Sequence, residues 1–151
     1  TEPDFGGAIF NRGTLNLNQS VIQANQGILG GGIYNFAGAT LVLDQTTVSE
    51  NLGAGIYNSG GSLTVTDSFF RQNNAGSGSG GAIVNTAGGT ANIRRSSFYA
   101  NQGSSGGAIW SASILSVKDS TFSGNQSNNT GGAIQASSGS MTIINATISE
   151  N

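Results

Sequence analysis

The sequence has 151 residues, of which 25 are glycine and only 8% are charged, with a formal net charge of -2. This composition is unusual for a globular domain and indicates a repetitive chain, and an apolar fraction of 36% is too high for a disordered polar tract. The few basic residues form no cluster, and no apolar run approaches the ~20 residues that span a bilayer, so neither nucleic-acid binding nor membrane insertion is expected. Without cysteine or histidine the chain has no thiolate metal site and lacks the commonest acid–base catalyst.

Each repeat begins with an isoleucine that follows a glycine-rich stretch. Successive isoleucines are 23 to 27 residues apart. They are Ile9, Ile33, Ile56, Ile83, Ile109 and Ile134. We interpret the glycine-rich stretch as the first of three short strands in each coil, with the isoleucine pointing inward.

The residue after each isoleucine should point outward, because side chains alternate along a strand. Four of these residues are aromatic, namely Phe10, Tyr34, Tyr57 and Trp110. We therefore predict an exposed aromatic stripe, the best candidate for a surface site, that stacks on sugar rings or on a neighbouring molecule. The alternative is that these rings only stabilise the solenoid by stacking between coils.

A block of constant length completes each repeat. Apolar residues stand ten, eight and three positions before a terminal asparagine, and a small residue stands five positions before it. Residues two positions apart lie on the same face of a strand, whereas a spacing of three positions indicates that the chain changes direction. The block therefore predicts two strands joined at a corner. The terminal asparagines are Asn25, Asn51, Asn73, Asn101, Asn125 and Asn151. Asparagine tolerates left-handed backbone and bonds to main chain, so these residues predict an asparagine ladder at a turn.

Together these patterns predict an all-β protein, a right-handed single-stranded parallel β-helix. This three-faced β-solenoid would have about six coils of 23–27 residues and would form one domain over residues 1–151, uncapped at both ends. A leucine-rich-repeat solenoid also contains an asparagine ladder. It is disfavoured because it needs a helical segment in each repeat, and the Gly, Ser and Asn connections offer none.

Two short motifs resemble a known family. GGAI occurs at residues 6–9, 80–83, 106–109 and 131–134, and FxxN at 70–73, 98–101 and 122–125. Paired GGAI and FxxN repeats resemble those of the chlamydial polymorphic outer-membrane proteins and related bacterial β-helix adhesins. The resemblance covers nearly the whole chain. It implies a right-handed β-helix that is secreted or held on a cell surface, with adhesion as its usual role.

One outward column of the predicted coils carries charge. It places Asp67, Arg95 and Asp119 on successive coils, which raises the alternative of a polysaccharide-lyase-like site with calcium-binding carboxylates and an arginine base. Carboxylates two coils apart would be separated by about 9.6 Å, too far to share one calcium ion. We therefore interpret the column as a charge ladder of alternating sign, and we expect no catalytic activity, metal or cofactor.

The two ends of the chain are in register with each other. If a second copy followed Asn151, its Ile9 would fall nine positions later, inside the range of 5 to 10 that separates each asparagine from the next isoleucine. One hypothesis is head-to-tail stacking into an open fibre, and a second is a stretch of a longer surface-adhesin passenger. A third is a carbohydrate-binding or polysaccharide-lyase-like β-helix. We favour a non-catalytic structural or adhesive protein, extracellular or at the cell surface, that binds itself, with a glycan or a host or cell surface as further candidate partners.

Overall fold

The computed structural model describes residues 5–151, and over this range the chain winds into three parallel, six-stranded sheets. Each coil contributes one strand to each sheet, and equivalent strands pair in register. Ile33, for example, pairs with Ile9 of the preceding coil and with Ile56 of the following coil. Because six strands are joined by five full turns, the predicted six coils correspond to about five turns of the solenoid. The predicted all-β, three-faced solenoid is confirmed.

We number the sheets in the order in which each coil enters them. Sheet I contains β1 (Ile9–Asn11), β4 (Ile33–Asn35), β7 (Ile56–Ser59), β10 (Ile83–Thr86), β14 (Ile109–Ser111) and β18 (Ile134–Ala136). Sheet II contains β2 (Thr14–Asn18), β5 (Thr40–Asp44), β8 (Ser62–Thr66), β11 (Thr90–Arg94), β15 (Ile114–Lys118) and β19 (Met141–Ile144). Sheet III contains β3 (Val21–Gln23), β6 (Thr47–Ser49), β9 (Phe69–Arg71), β12 (Ser97–Tyr99), β16 (Thr121–Ser123) and β20 (Thr147–Ser149). A small fourth sheet pairs β13 (Gln102–Ser105) with β17 (Gln126–Thr130).

The constant block forms the strands of sheets II and III, as predicted. In β5, Leu41 and Leu43 are fully buried, whereas Val42 between them is partly exposed. The buried residue of sheet III follows five positions after the second leucine and is Val48 in the same coil. The steps of two and three in the sequence therefore correspond to one strand, a corner and a second strand.

The glycine-rich stretch forms a turn and not the body of a strand, which corrects our interpretation. Sheet I begins at the isoleucine, after the two glycines of GGAI. Gly106 has a φ of +59°, a left-handed conformation that other residues rarely adopt. A Cβ atom on Gly107 would collide with the carbonyl oxygens of Gly132 and Gln126. The first glycine therefore provides the backbone turn, and the second allows the next coil to approach closely.

Inward-facing side chains stack from coil to coil to form a single core. The rings of Phe70 and Phe98 lie 4.8 Å apart, and those of Phe98 and Phe122 lie 4.6 Å apart, with both pairs almost parallel. All three phenylalanines are at most 1% exposed.

Among the described residues there is no helix of the length and apolarity that crossing a membrane requires.

Candidate functional site

The predicted asparagine ladder is present and largely buried. The Asn101 amide donates to Asn125 Oδ1 and to the Phe70 carbonyl oxygen, both at 3.0 Å. Its Oδ1 accepts from the main-chain N–H of Asn73 at 3.1 Å and from the Asn73 amide at 2.9 Å. Equivalent amide bonds connect the other members: Asn25 to Asn51, Asn51 to Asn73, and Asn125 to Asn151. The ladder therefore runs through every coil.

The left-handed residue at this corner is not the asparagine, which corrects the reason we gave for the ladder. The residue before each asparagine has φ between 52° and 61°, namely Ala24, Glu50, Gln72, Ala100, Gly124 and Glu150. The chain thus turns one residue earlier than expected. This turn directs the asparagine side chain inward, where its amide reaches a main-chain carbonyl of the preceding coil, as Asn101 does with Phe70.

A second asparagine ladder, which the sequence reading missed, stands between sheets I and II. Its members lie two residues after the anchoring isoleucines and are Asn11, Asn35, Asn58 and Asn85, followed by Ser111. The Asn58 amide, for example, donates to Asn85 Oδ1 at 2.8 Å and to the Gly61 carbonyl oxygen at 2.9 Å. The same alignment of repeats would have revealed this column had it been extended two residues beyond each isoleucine.

Hydroxyl groups form the ladder at the remaining corner, between sheets II and III. Ser68 Oγ accepts from the main-chain N–H of Thr46 at 3.1 Å and donates to the Thr66 carbonyl oxygen at 2.7 Å. Ser96 Oγ repeats the arrangement one coil later, accepting from the N–H of Ser68 at 3.1 Å. These bonds explain the serine or threonine that stands five positions before each asparagine except Asn151, where the residue is Ala146. All three corners of the solenoid therefore carry a polar ladder.

The predicted aromatic stripe is only partly exposed, and the prediction is wrong for Tyr34. Tyr34 is 7% exposed because its ring is stacked between Phe10 at 5.3 Å and Tyr57 at 5.4 Å, both nearly parallel to it. The Phe5 ring also contacts Tyr34, with centroids 4.9 Å apart. Phe10 remains 38% exposed. The first three rings of the stripe therefore stack between coils, and whether the stripe also binds a ligand stays a prediction.

The later part of the stripe borders a cavity. Tyr57 and Trp110 are partly exposed, and Val84 takes the equivalent position in the coil between them. These three side chains line a cavity of about 230 Å³ on the outer face of sheet I, together with parts of three connecting loops. Burial raises the pKa of Tyr57, and the nearby Tyr34 hydroxyl raises it further.

The charge ladder is a pair and not a continuous column. The Arg95 guanidinium binds Asp67 in a bidentate manner, with Nε–Oδ1 and Nη2–Oδ2 distances of 2.8 and 2.9 Å. Asp119 instead accepts a hydrogen bond of 3.0 Å from Asn145 of the next coil. Over residues 5–151, no group of three or more His, Cys, Asp or Glu side chains is placed to hold a metal ion.

The Asp67–Arg95 pair should give a small, acid-sensitive contribution to stability. The hydrogen bonds from Arg95 hold the pKa of Asp67 below its ordinary value of 3.8. Because the pKa of Asp67 is lower in the folded state, the pair stabilises the protein fully at pH values above the ordinary pKa. This stabilisation is lost as the pH falls through the lower pKa of the folded state. Below a pH of about 4 the melting temperature of the wild type should fall as the pH falls. Asp67→Asn should make this fall only slightly smaller, because exposed ion pairs contribute little to stability. If the pair is responsible, thermal scans of Arg95→Gln and of the double variant should match those of Asp67→Asn.

Three parallel sheets with a hydrogen-bonded ladder at each corner define a parallel β-helix protein. The family described as the right-handed β-helix region matches residues 6–151, and the chain belongs to this family. The match is to β-helix regions in general and does not single out the chlamydial polymorphic outer-membrane proteins. No curated protein and no solved structure matches the chain.

Proposed function

We propose that this β-helix is a non-catalytic structural or adhesive scaffold, extracellular or at the cell surface, whose copies stack head to tail into a fibre. One observation carries the proposal. Met141, Ile143 and Ile148 pair in register with the buried Leu115, Val117 and Phe122, yet they are 37–50% exposed because no coil covers them. Apolar side chains in this arrangement gain free energy when another coil is placed over them.

The first coil offers a matching surface. Leu15, Leu17 and Ile22 occupy the same three columns and are only partly buried. In the first asparagine ladder each N–H and amide donates to Oδ1 of the next asparagine, so Asn151 would donate to Asn25 of a following copy. Head-to-tail stacking therefore continues the core and the ladder together. The resemblance of the GGAI and FxxN repeats to surface adhesins supports the proposed location.

Electron microscopy and sedimentation of the purified chain test this assembly. We expect unbranched filaments with an axial repeat of about 29 Å, six strand spacings. Ile143→Lys should give short particles, since it would bury a charge between copies. The control is Ile114→Lys, because Ile114 is 52% exposed at the start of β15, in the coil before the last and not on the end face, and its replacement should leave filaments intact.

The result also separates the head-to-tail fibre from the second hypothesis. In a passenger of a longer adhesin, further coils of the same polypeptide would cover these end faces. Wild-type protein that stays as single particles at high concentration would contradict the fibre and favour the passenger.

A lyase-like activity remains the alternative function, because Arg95 lies on an exposed face of a β-helix. Its guanidinium is already occupied by Asp67, which argues against a role as a base. Incubation with an acidic polysaccharide and calcium should give no unsaturated product. Cleavage that Arg95→Gln abolishes would overturn the non-catalytic proposal.

A further inference from the structure

The outward aromatic stack on sheet I is interrupted at one coil. Phe10, Tyr34 and Tyr57 stack at centroid distances of 5.3 and 5.4 Å. The next coil places Val84 in this column, and the coil after that places Trp110. Since equivalent residues of neighbouring coils are about 4.8 Å apart, Tyr57 and Trp110 are separated by about 9.6 Å along the axis. The space over Val84 therefore corresponds to one missing ring, and we call it the ring gap.

The ring gap is the cavity of about 230 Å³. Tyr57, Val84 and Trp110 line it from sheet I, and Ile28 and Leu29 are among the residues that line it from a connecting loop. A cavity of about 150 Å³ with apolar walls already accommodates benzene, so this cavity has room for one substituted ring. Its surface is mainly apolar, and none of the side chains that line it is charged.

The lengths of the connections account for the walls of the ring gap. The connection from Asn51 to Ile56 takes five steps, whereas the preceding one takes eight and the following one takes ten. The short connection is therefore recessed between two longer loops. Ile28 belongs to the first of these loops and Ala75 to the second, and both border the cavity, with Ala54 of the short connection between them.

We propose that the ring gap binds a small, uncharged aromatic compound whose ring inserts over Val84, between Tyr57 and Trp110. A ring in this position would continue the spacing of the existing stack, inside the range of 4.5 to about 7 Å that aromatic pairs prefer. The apolar walls would leave most hydroxyl groups of a saccharide without hydrogen-bond partners, which is costly. The absence of charged lining residues likewise disfavours an ionic ligand. This inference is independent of the proposed fibre.

Trp110 provides the readout, because it is the only tryptophan in the chain. We expect 4-nitrobenzyl alcohol, an uncharged aromatic quencher, to reduce Trp110 fluorescence in a saturable way, beyond the linear quenching of free N-acetyltryptophanamide. Methyl glucoside at the same concentrations should neither bind nor compete.

Val84→Phe is the decisive variant, because it fills the ring gap with a ring of the protein's own. We expect it to weaken binding at least about tenfold, as loss of the cavity removes most of the stacking contact. Ile28→Ser removes one wall without threatening the fold, since Ile28 is 69% exposed, and should weaken binding several-fold. Ile114→Ser changes an exposed isoleucine away from the cavity and should leave binding unchanged.

Three results would overturn the proposal. The first is linear quenching in the wild type, and the second is saturable quenching that neither Val84→Phe nor Ile28→Ser weakens. The third is binding of methyl glucoside as tight as that of the aromatic alcohol. Circular dichroism of each variant shows whether the fold is retained, and Ile28→Ser keeps the test valid if Val84→Phe does not fold.

Discussion

Replacement of Asn101 by alanine is expected to lower the free energy of unfolding by about 3 to 5 kcal/mol, because it orphans buried polar groups that cost about 1–3 kcal/mol each. Asn101 is fully buried in the middle of the ladder. Its loss removes the acceptor of the Asn73 main-chain N–H and the side-chain donor to the Phe70 carbonyl oxygen. Urea unfolding followed by far-ultraviolet circular dichroism measures the change.

Asn25→Ala is the matched control for this experiment. Asn25 belongs to the same ladder, but it lies in the first coil and its amide bonds are only partly buried or exposed. Its replacement should cost about 1 kcal/mol, the usual net value of one hydrogen bond. Equal losses in the two variants would show that burial of the ladder is not what makes it stabilising.

Phe98→Ala should destabilise the protein by a similar amount, about 3–5 kcal/mol, as is usual when a buried phenylalanine is truncated. Phe98 is 1% exposed and is stacked on both faces, at 4.8 Å by Phe70 and at 4.6 Å by Phe122. The rings above and below are held by their own coils, so the cavity left behind cannot readily close. The measurement is again equilibrium unfolding in urea.

The neighbouring Tyr99 supplies the control for Phe98. Tyr99 follows Phe98 in β12, points outward and is 51% exposed. Tyr99→Ala should change the free energy of unfolding by less than about 1 kcal/mol, because an exposed substitution creates no buried cavity. A loss as large as that of Phe98→Ala would mean that stacking inside the core is not the source of the effect.

The fold was predictable because its main signal is local. Alternation along a strand placed Leu41 and Leu43 in the core, and the constant distance to Asn51 fixed the corner. Backbone detail at the corner was not predictable in the same way. Because Ala100 and not Asn101 adopts the left-handed conformation, general residue preferences pointed to the wrong position.

The exposure of the outer face could not be predicted from alternation alone. Alternation correctly placed Tyr34 outside the core, but its burial depends on which rings and loops cover it, and these come from other coils. The charge ladder failed for a related reason. The sequence aligned Asp67, Arg95 and Asp119, yet which neighbours pair depends on how each side chain leans along the axis.

The ladders also give the molecule a direction. Each asparagine amide donates to the oxygen of the next coil along the chain, and every strand of the three main sheets is parallel. In the first asparagine ladder, the Asn25 end consequently presents an Oδ1 acceptor and the Asn151 end presents N–H donors, whereas the main chain donates in both directions between coils. At this ladder, a two-fold symmetric pair formed through identical ends would set like groups against like. In the proposed fibre, growth would therefore have one direction, and a subunit added in reversed orientation would not continue the ladder.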